Sequence, residues 1–351
     1  MRNKIVQEDM KYIVDYLLPW KKFEGKTVLI SGANGFLASY MVKALLYFND
    51  KTRGRKVKVI CCARNQSKST ERFEEYKYRD DIKFVFQDIC DPIAVDGDVH
   101  YIIHAASQAS PKYYGVDPVG TLLANVLGTY NLLELARQKK VEGLLYFSSG
   151  EVYGEVTEKQ LPTKESDYGY VDPANVRSCY AESKRMGENM CVSWAHQFGV
   201  PAKIARPFHT YGPGMSLDDG RVFADFVADI VNGKNILMKS DGSATRSFCY
   251  LADATIGFFL VLLTGEVGQA YNVGNDKGEI SIYELAQTLV RLFPEKGLKV
   301  IREERGDNQA YLKSKISRSC PDTSKIRAMG WEPMFSVEDG FRRTIRSWNY
   351  Q

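Results

Sequence analysis

The chain has 351 residues, 44% of them hydrophobic and 26% charged. Those proportions describe a folded protein of one large or two modest domains and exclude a disordered or collagen-like chain. Its 47 lysines and arginines against 43 acidic residues leave a net charge of +4, too balanced to mark a nucleic-acid binder. No apolar run approaches the roughly 18 residues of a membrane span, and residues 1–15 mix charged and apolar side chains unlike a signal peptide. Seven cysteines without a CxxC pair and four scattered histidines lead us to expect a cytoplasmic protein with reduced thiols and no metal.

Residues 1–24 read as one amphipathic helix, with Ile5, Met10, Ile13, Leu17 and Leu18 near helical spacing and Pro19 ending it. Residues 27–30 form a short apolar strand, followed by a glycine-rich turn and a helical run over 39–48. Further strands fall at 57–62, around 84–86, at 101–103 and at 144–147, with helical stretches between most of them. Strands alternating with helices predict an α/β fold: a Rossmann-type doubly wound parallel sheet with helices on both faces. From Arg206 the pattern loosens, which suggests a smaller C-terminal region.

The first strand runs into Ser31-Gly32-Ala33-Asn34-Gly35-Phe36-Leu37-Ala38. Glycines let such a turn approach a pyrophosphate, which then rests on the amides of the following helix. Ala38 is small enough for helix and strand to pack closely where a third glycine is usual. At the end of the second strand an acid normally reads a ribose hydroxyl, whereas a base can hold an extra phosphate. Here Cys61-Cys62-Ala63-Arg64-Asn65 offers no acid, with Lys68 nearby, so both NAD and NADP stay open. Asp88 is placed to accept a hydrogen bond from an adenine amine.

Ser149 closes the fifth strand, and Tyr180 and Lys184 follow about thirty residues later. Tyr-x-x-x-Lys on a helix sets phenol and ammonium on one face, one turn apart. The ammonium favours the phenolate of a group whose ordinary pKa is near 10, so Tyr180 can take a proton while hydride leaves the same carbon. Ser149 would hold the reacting oxygen in line.

With these marks the chain resembles an extended short-chain dehydrogenase/reductase of the nucleotide-sugar epimerase/dehydratase family, from Lys26 to Pro333. The likeness is carried by His104-Ala105-Ala106, Asn125-Val-Leu-Gly-Thr129, Glu151-Val-Tyr-Gly154, Arg206-Pro-Phe-His-Thr-Tyr-Gly-Pro213, residues 242–250 and Gly330-Trp-Glu-Pro333. Residues 106–114, 176–185 and 219–222 are most similar to UDP-glucuronate decarboxylases. The resemblance implies an NAD(P)-binding domain over 25–205, joined again by 240–275, and a nucleotide-sugar-binding region over 206–239 and 276–351. It implies a cofactor site of Gly32, Asn34, Gly35, Phe36, Leu37, Arg64, Asp88, Ile89, Ala105, Ala106, Tyr180 and Lys184. Catalysis would fall to Tyr180, Lys184, Ser149 and Glu151, the last as an acid/base. Substrate would be held by Lys112, Tyr113, His209, Arg221, Arg246 and Arg318, with Arg246 pairing a diphosphate. Tyr153 and Tyr250 read as packing residues. The expected partners are a UDP- or dTDP-hexose and a second copy of the chain, with neither nucleic acid nor membrane.

The departures matter too. Gly150 stands where a 4,6-dehydratase carries aspartate, which demotes dehydration. Gly120 and Ser319 stand where the decarboxylases carry a lysine and an arginine, and His209 replaces an asparagine. Decarboxylation of UDP-glucuronate leads; a 4-epimerase or an NADPH-dependent 4-keto-6-deoxy-sugar reductase is the alternative, which Arg64 favours. A non-enzymatic dinucleotide sensor is remote, because Ser149, Tyr180 and Lys184 are all present.

Overall fold

A computed structural model describes residues 3–302 and 316–350; residues 303–315 of the expected sugar-binding region lie outside the described residues. Seven strands are β1 (Thr27–Ser31), β2 (Lys58–Ala63), β3 (Ile82–Phe86), β4 (Tyr101–His104), β5 (Gly143–Phe147), β6 (Ala202–Pro207) and β7 (Ala270–Val273). They pair in the order β7-β6-β5-β4-β1-β2-β3, every neighbour parallel. Parallel neighbours need crossovers. The helices that serve and flank them are α1 (Lys4–Asp15), α2 (Phe36–Lys51), α3 (Gln66–Arg72), α4 (Pro118–Lys139), α5 (Cys179–Phe198), α6 (Val222–Val231) and α7 (Leu251–Thr264).

The central strands read as unbroken apolar runs because both their faces are covered. Alternate residues serve different cores. Val28, Ile30, Ile103 and Leu145 pack in one core with Met10, Leu45 and Phe258 of α1, α2 and α7. Leu29, Ile102 and Leu144 pack in the other with Leu132 of α4 and Cys191 of α5. Strand order reverses between β1 and β4, and a crevice opens at such a switch point beyond the carboxyl ends of the strands.

Two boundaries differ from the sequence expectation. α2 begins at Phe36, straight after the glycine turn, not at Ser39. α1 stops at Asp15, short of Pro19, and Tyr16 is already extended. Leu17 is 96% exposed and Leu18 8%, an out-and-in alternation of extended chain that helical spacing had counted as one stripe. α1 is also no appendage. Its Asp9 is fully buried and accepts from Tyr40 of α2, from Tyr250 and from Arg343 of the helix Val337–Arg346.

Beyond the main sheet, the strand Thr245–Ser247 lies between Glu279–Ser281 (antiparallel) and Arg318–Ser319 (parallel), forming a small second sheet over the crevice. No helix among the described residues is long and apolar enough to cross a membrane. Nor does any group of three or more His, Cys, Asp or Glu among them gather as a metal site.

Candidate active site

A cleft of about 1200 Å³ runs along the carboxyl ends of the strands, from Arg64 at one end to Arg246 at the other. At its centre Gly32 holds φ +63°, and a Cβ built there would stand 2.7 Å from the Ala106 backbone; only glycine lets the two loops approach so closely. Ser31 Oγ accepts from the Ala105 and Ala106 amides at 3.2 Å and fixes the second loop. Gly35 caps α2 without a side-chain bond, so the first amides of α2 are left for an anion. This cradle fits the pyrophosphate of a dinucleotide. Gly32, Asn34, Gly35, Phe36, Leu37, Arg64, Asp88, Ile89, Ala105 and Ala106 all line it.

On the facing wall, the first two turns of α5 present Tyr180 and Lys184, both buried. Lys184 Nζ donates to the Phe147 carbonyl at 2.6 Å and lies 5.7 Å from the Tyr180 ring centre. Burial lowers its pKa to about 7, against the pull of the Glu188 carboxylate. Burial raises Tyr180 to about 12, with the Ser149 hydroxyl bond working the other way. Ser149 caps the short turn Gly150–Tyr153 by accepting from the Glu151 amide, which sets Glu151 at the same wall. Glu151 is held in turn by Arg177 at 3.3 Å.

Of the expected substrate residues, Lys112, Tyr113, His209, Arg221 and Arg246 line the cleft. Lys112 bonds the Asp218 carbonyl and carboxylate, so the loop at 110–113 is tied to the loop before α6. Arg221 is clamped by Asp219. Arg246 donates to the carbonyls of Thr245, Ile316 and Ser317. His209 Nδ1 is buried with no partner, and burial holds its imidazole well below the usual range, with Arg246 and Arg221 adding to the effect.

Arg318 is the exception, and the structure does not bring it to the cleft. It lies beside Thr245 in register, and its guanidinium pairs with Glu279 on the outer face at 2.6 Å. Ser319, the next residue, aligns with Arg246 and lines the cleft. Adjacent strand residues point to opposite faces, so a shift of one position costs the pocket a cation. Gly120 also lines the cleft, where a Cβ would meet the Asp117 carboxylate at 2.2 Å.

Several residues at the site escaped the sequence reading. Tyr114 stacks on Tyr180 with ring centres 5.0 Å apart. Ser107 Oγ and Gln108 Oε1 are buried, unpartnered and on the cleft wall, as unmatched polar atoms are where a ligand completes the set. Arg206 pairs with Glu188 beneath Lys184 and also bonds Tyr153. Tyr153 and Tyr250 are buried packing residues, bonded to Asn272 and Asp9.

The description of the NAD dependent epimerase/dehydratase family matches residues 28–274. UDP-glucuronic acid decarboxylase 6 of Arabidopsis thaliana is 34% identical over 315 residues, covering 89% of this chain and 86% of that one. An epimerase of Methanothermobacter thermautotrophicus superposes with a TM-score of 0.80 at 23% identity, over 100% of this chain and 97% of that one. UDP-glucuronic acid 4-epimerase of Bacillus cereus, solved with UDP-glucuronic acid and NAD, gives 0.75 at 21% identity over 92% and 99%. At these identities the two structures speak for the fold.

Proposed function

Because this chain belongs to the NAD-dependent epimerase/dehydratase family, we propose that it oxidises a nucleotide-linked hexose at C4 and, with UDP-glucuronate as substrate, releases carbon dioxide. The observation that carries this is the meeting of Ser149, Glu151, Tyr180 and Lys184 on one wall of the dinucleotide cleft. A nicotinamide held in this cleft would supply the hydride acceptor. Tyr180 takes the proton of the C4 hydroxyl, and the Lys184 ammonium beside it stabilises the phenolate. Ser149 holds the C4 oxygen. A ketone at C4 lies β to the C6 carboxylate, so the bond to carbon dioxide breaks with its electrons spread onto the ketone oxygen. Glu151 would then return a proton to C5, and with the hydride handed back to C4 Tyr180 would return its proton to the C4 oxygen, so that the product is a UDP-pentose and the cofactor ends oxidised. Arg246 and Arg221 take the diphosphate, and His209, Ser107 and Gln108 offer polar atoms to the sugar and linker.

The decarboxylase relative supports this choice of sugar. Gly120 and Ser319 favour the second reading, a 4-epimerase or 4-keto-sugar reductase, because neither offers a cation to a carboxylate. Incubating the protein with UDP-glucuronate and following nucleotide sugars by mass spectrometry decides between them. Loss of carbon dioxide to give a UDP-pentose is expected. Unchanged mass with UDP-glucuronate, together with NADPH oxidation by a 4-keto-6-deoxy sugar, hands the function to the reductase. The working unit we propose is a homodimer in the cytoplasm.

A further inference from the structure

The adenosine end of the cleft departs from what an NAD site needs. In a doubly wound sheet the residue ending β2 faces the adenine ribose, and an acid there bonds the 2′-hydroxyl while repelling a 2′-phosphate. β2 ends here in Cys62 and Ala63, both neutral, and the first residue past the strand is Arg64. Arg64 lines the cleft, and its side chain is 61% exposed, so a ligand can reach the guanidinium. One nitrogen leans on Asp88 at 3.2 Å, which orients the fork and leaves its other donors available.

α3 adds to this. Its residues Lys68 and Arg72, four apart and so on one face, line the cleft. Gln66, Thr70 and Glu71 line a separate surface depression instead. The helix thus turns its cations toward the ribose end and keeps Glu71 away. Arg72 is engaged with Ser39 and the Gly214 carbonyl, whereas Lys68 forms no ion pair among the described residues. Two cations, Arg64 and Lys68, therefore flank the place a ribose would occupy, and of the carboxylates lining this end Asp88 is the one paired with Arg64.

We infer that this end of the cleft is a 2′-phosphate subsite formed by Arg64 and Lys68, so that the chain takes NADP(H) in preference to NAD(H). The inference rests on the cleft being a dinucleotide site but not on which sugar is processed. Charge-assisted bonds from a guanidinium and an ammonium to a phosphate dianion supply the selectivity.

The test is calorimetry on protein freed of co-purifying nucleotide, with NADP⁺, NAD⁺, 2′,5′-ADP and 5′-AMP as ligands. NADP⁺ should bind about tenfold or more tighter than NAD⁺, and 2′,5′-ADP tighter than 5′-AMP. Arg64→Ala should cost NADP⁺ about tenfold while moving NAD⁺ by no more than about twofold. Adding Lys68→Ala should bring the two cofactors to parity. Equal affinities in the parent protein, tighter NAD⁺, or equal losses for both cofactors in Arg64→Ala would overturn the inference. Because the readout is cofactor binding, either result leaves the decarboxylase question open to its own assay.

Discussion

Lys184 sits where water does not reach, with one carbonyl for a partner. Its pKa is lowered to about 7 from the ordinary 10.5, chiefly by burial. The folded chain therefore binds fewer protons than the unfolded chain between those values, and this group's contribution to stability rises with pH across that window. Lys184→Met should abolish turnover yet melt at a higher temperature than the parent at pH 6, an advantage that shrinks toward pH 10. Thermal melts at the two pH values check this, and a constant gap would contradict it. Tyr180→Phe should leave the fold intact and lower the rate of cofactor reduction by about 10²–10⁴-fold. Glu151→Gln separates the two proposed chemistries. A decarboxylase should still reduce its cofactor with UDP-glucuronate but stall before product, because an amide cannot return the C5 proton; a simple ketoreductase should keep most of its rate. Single-turnover absorbance of the reduced nicotinamide reads the difference.

Among the elements, α1 depends most on a distant partner. Asp9→Ala should destabilise the fold by about 3 kcal/mol, because it strips the buried partner from Arg343 and from two tyrosine hydroxyls. Urea denaturation at pH 7 measures it, and a loss below about 1 kcal/mol would show the contacts to be ornamental. The central strands were legible because residues such as Leu29 and Ile102 are apolar on both faces and sit beside recognisable turns. The glycine turn and the Tyr180–Lys184 pair were legible because local spacing fixes them. Arg318 was not: its face follows from a two-residue strand paired with Thr245, about seventy positions away. Tyr114 carries no local signal that it will stack on Tyr180. The end of α1 was misread because Leu17 fits a helical stripe in sequence while standing in solvent in the fold.

For the whole molecule, α4 and α5 expose several large apolar side chains. Val119, Leu127 and Tyr130 of α4 and Met186 of α5 are all more than a third exposed, and exposed apolar groups of that kind suit an interaction surface. Light scattering at micromolar concentration should give the mass of two chains, and Leu127→Glu with Met186→Glu should give that of one; a monomeric parent would refute the homodimer. The link from Asp9 to Arg343 spans 334 positions, and Asn3 reaches the Ser347 carbonyl at the same seam. The segments Asn3–Asp9 and Arg343–Ser347 are thus sewn together. During synthesis α1 therefore cannot complete its contacts until Arg343 and Ser347 have been made.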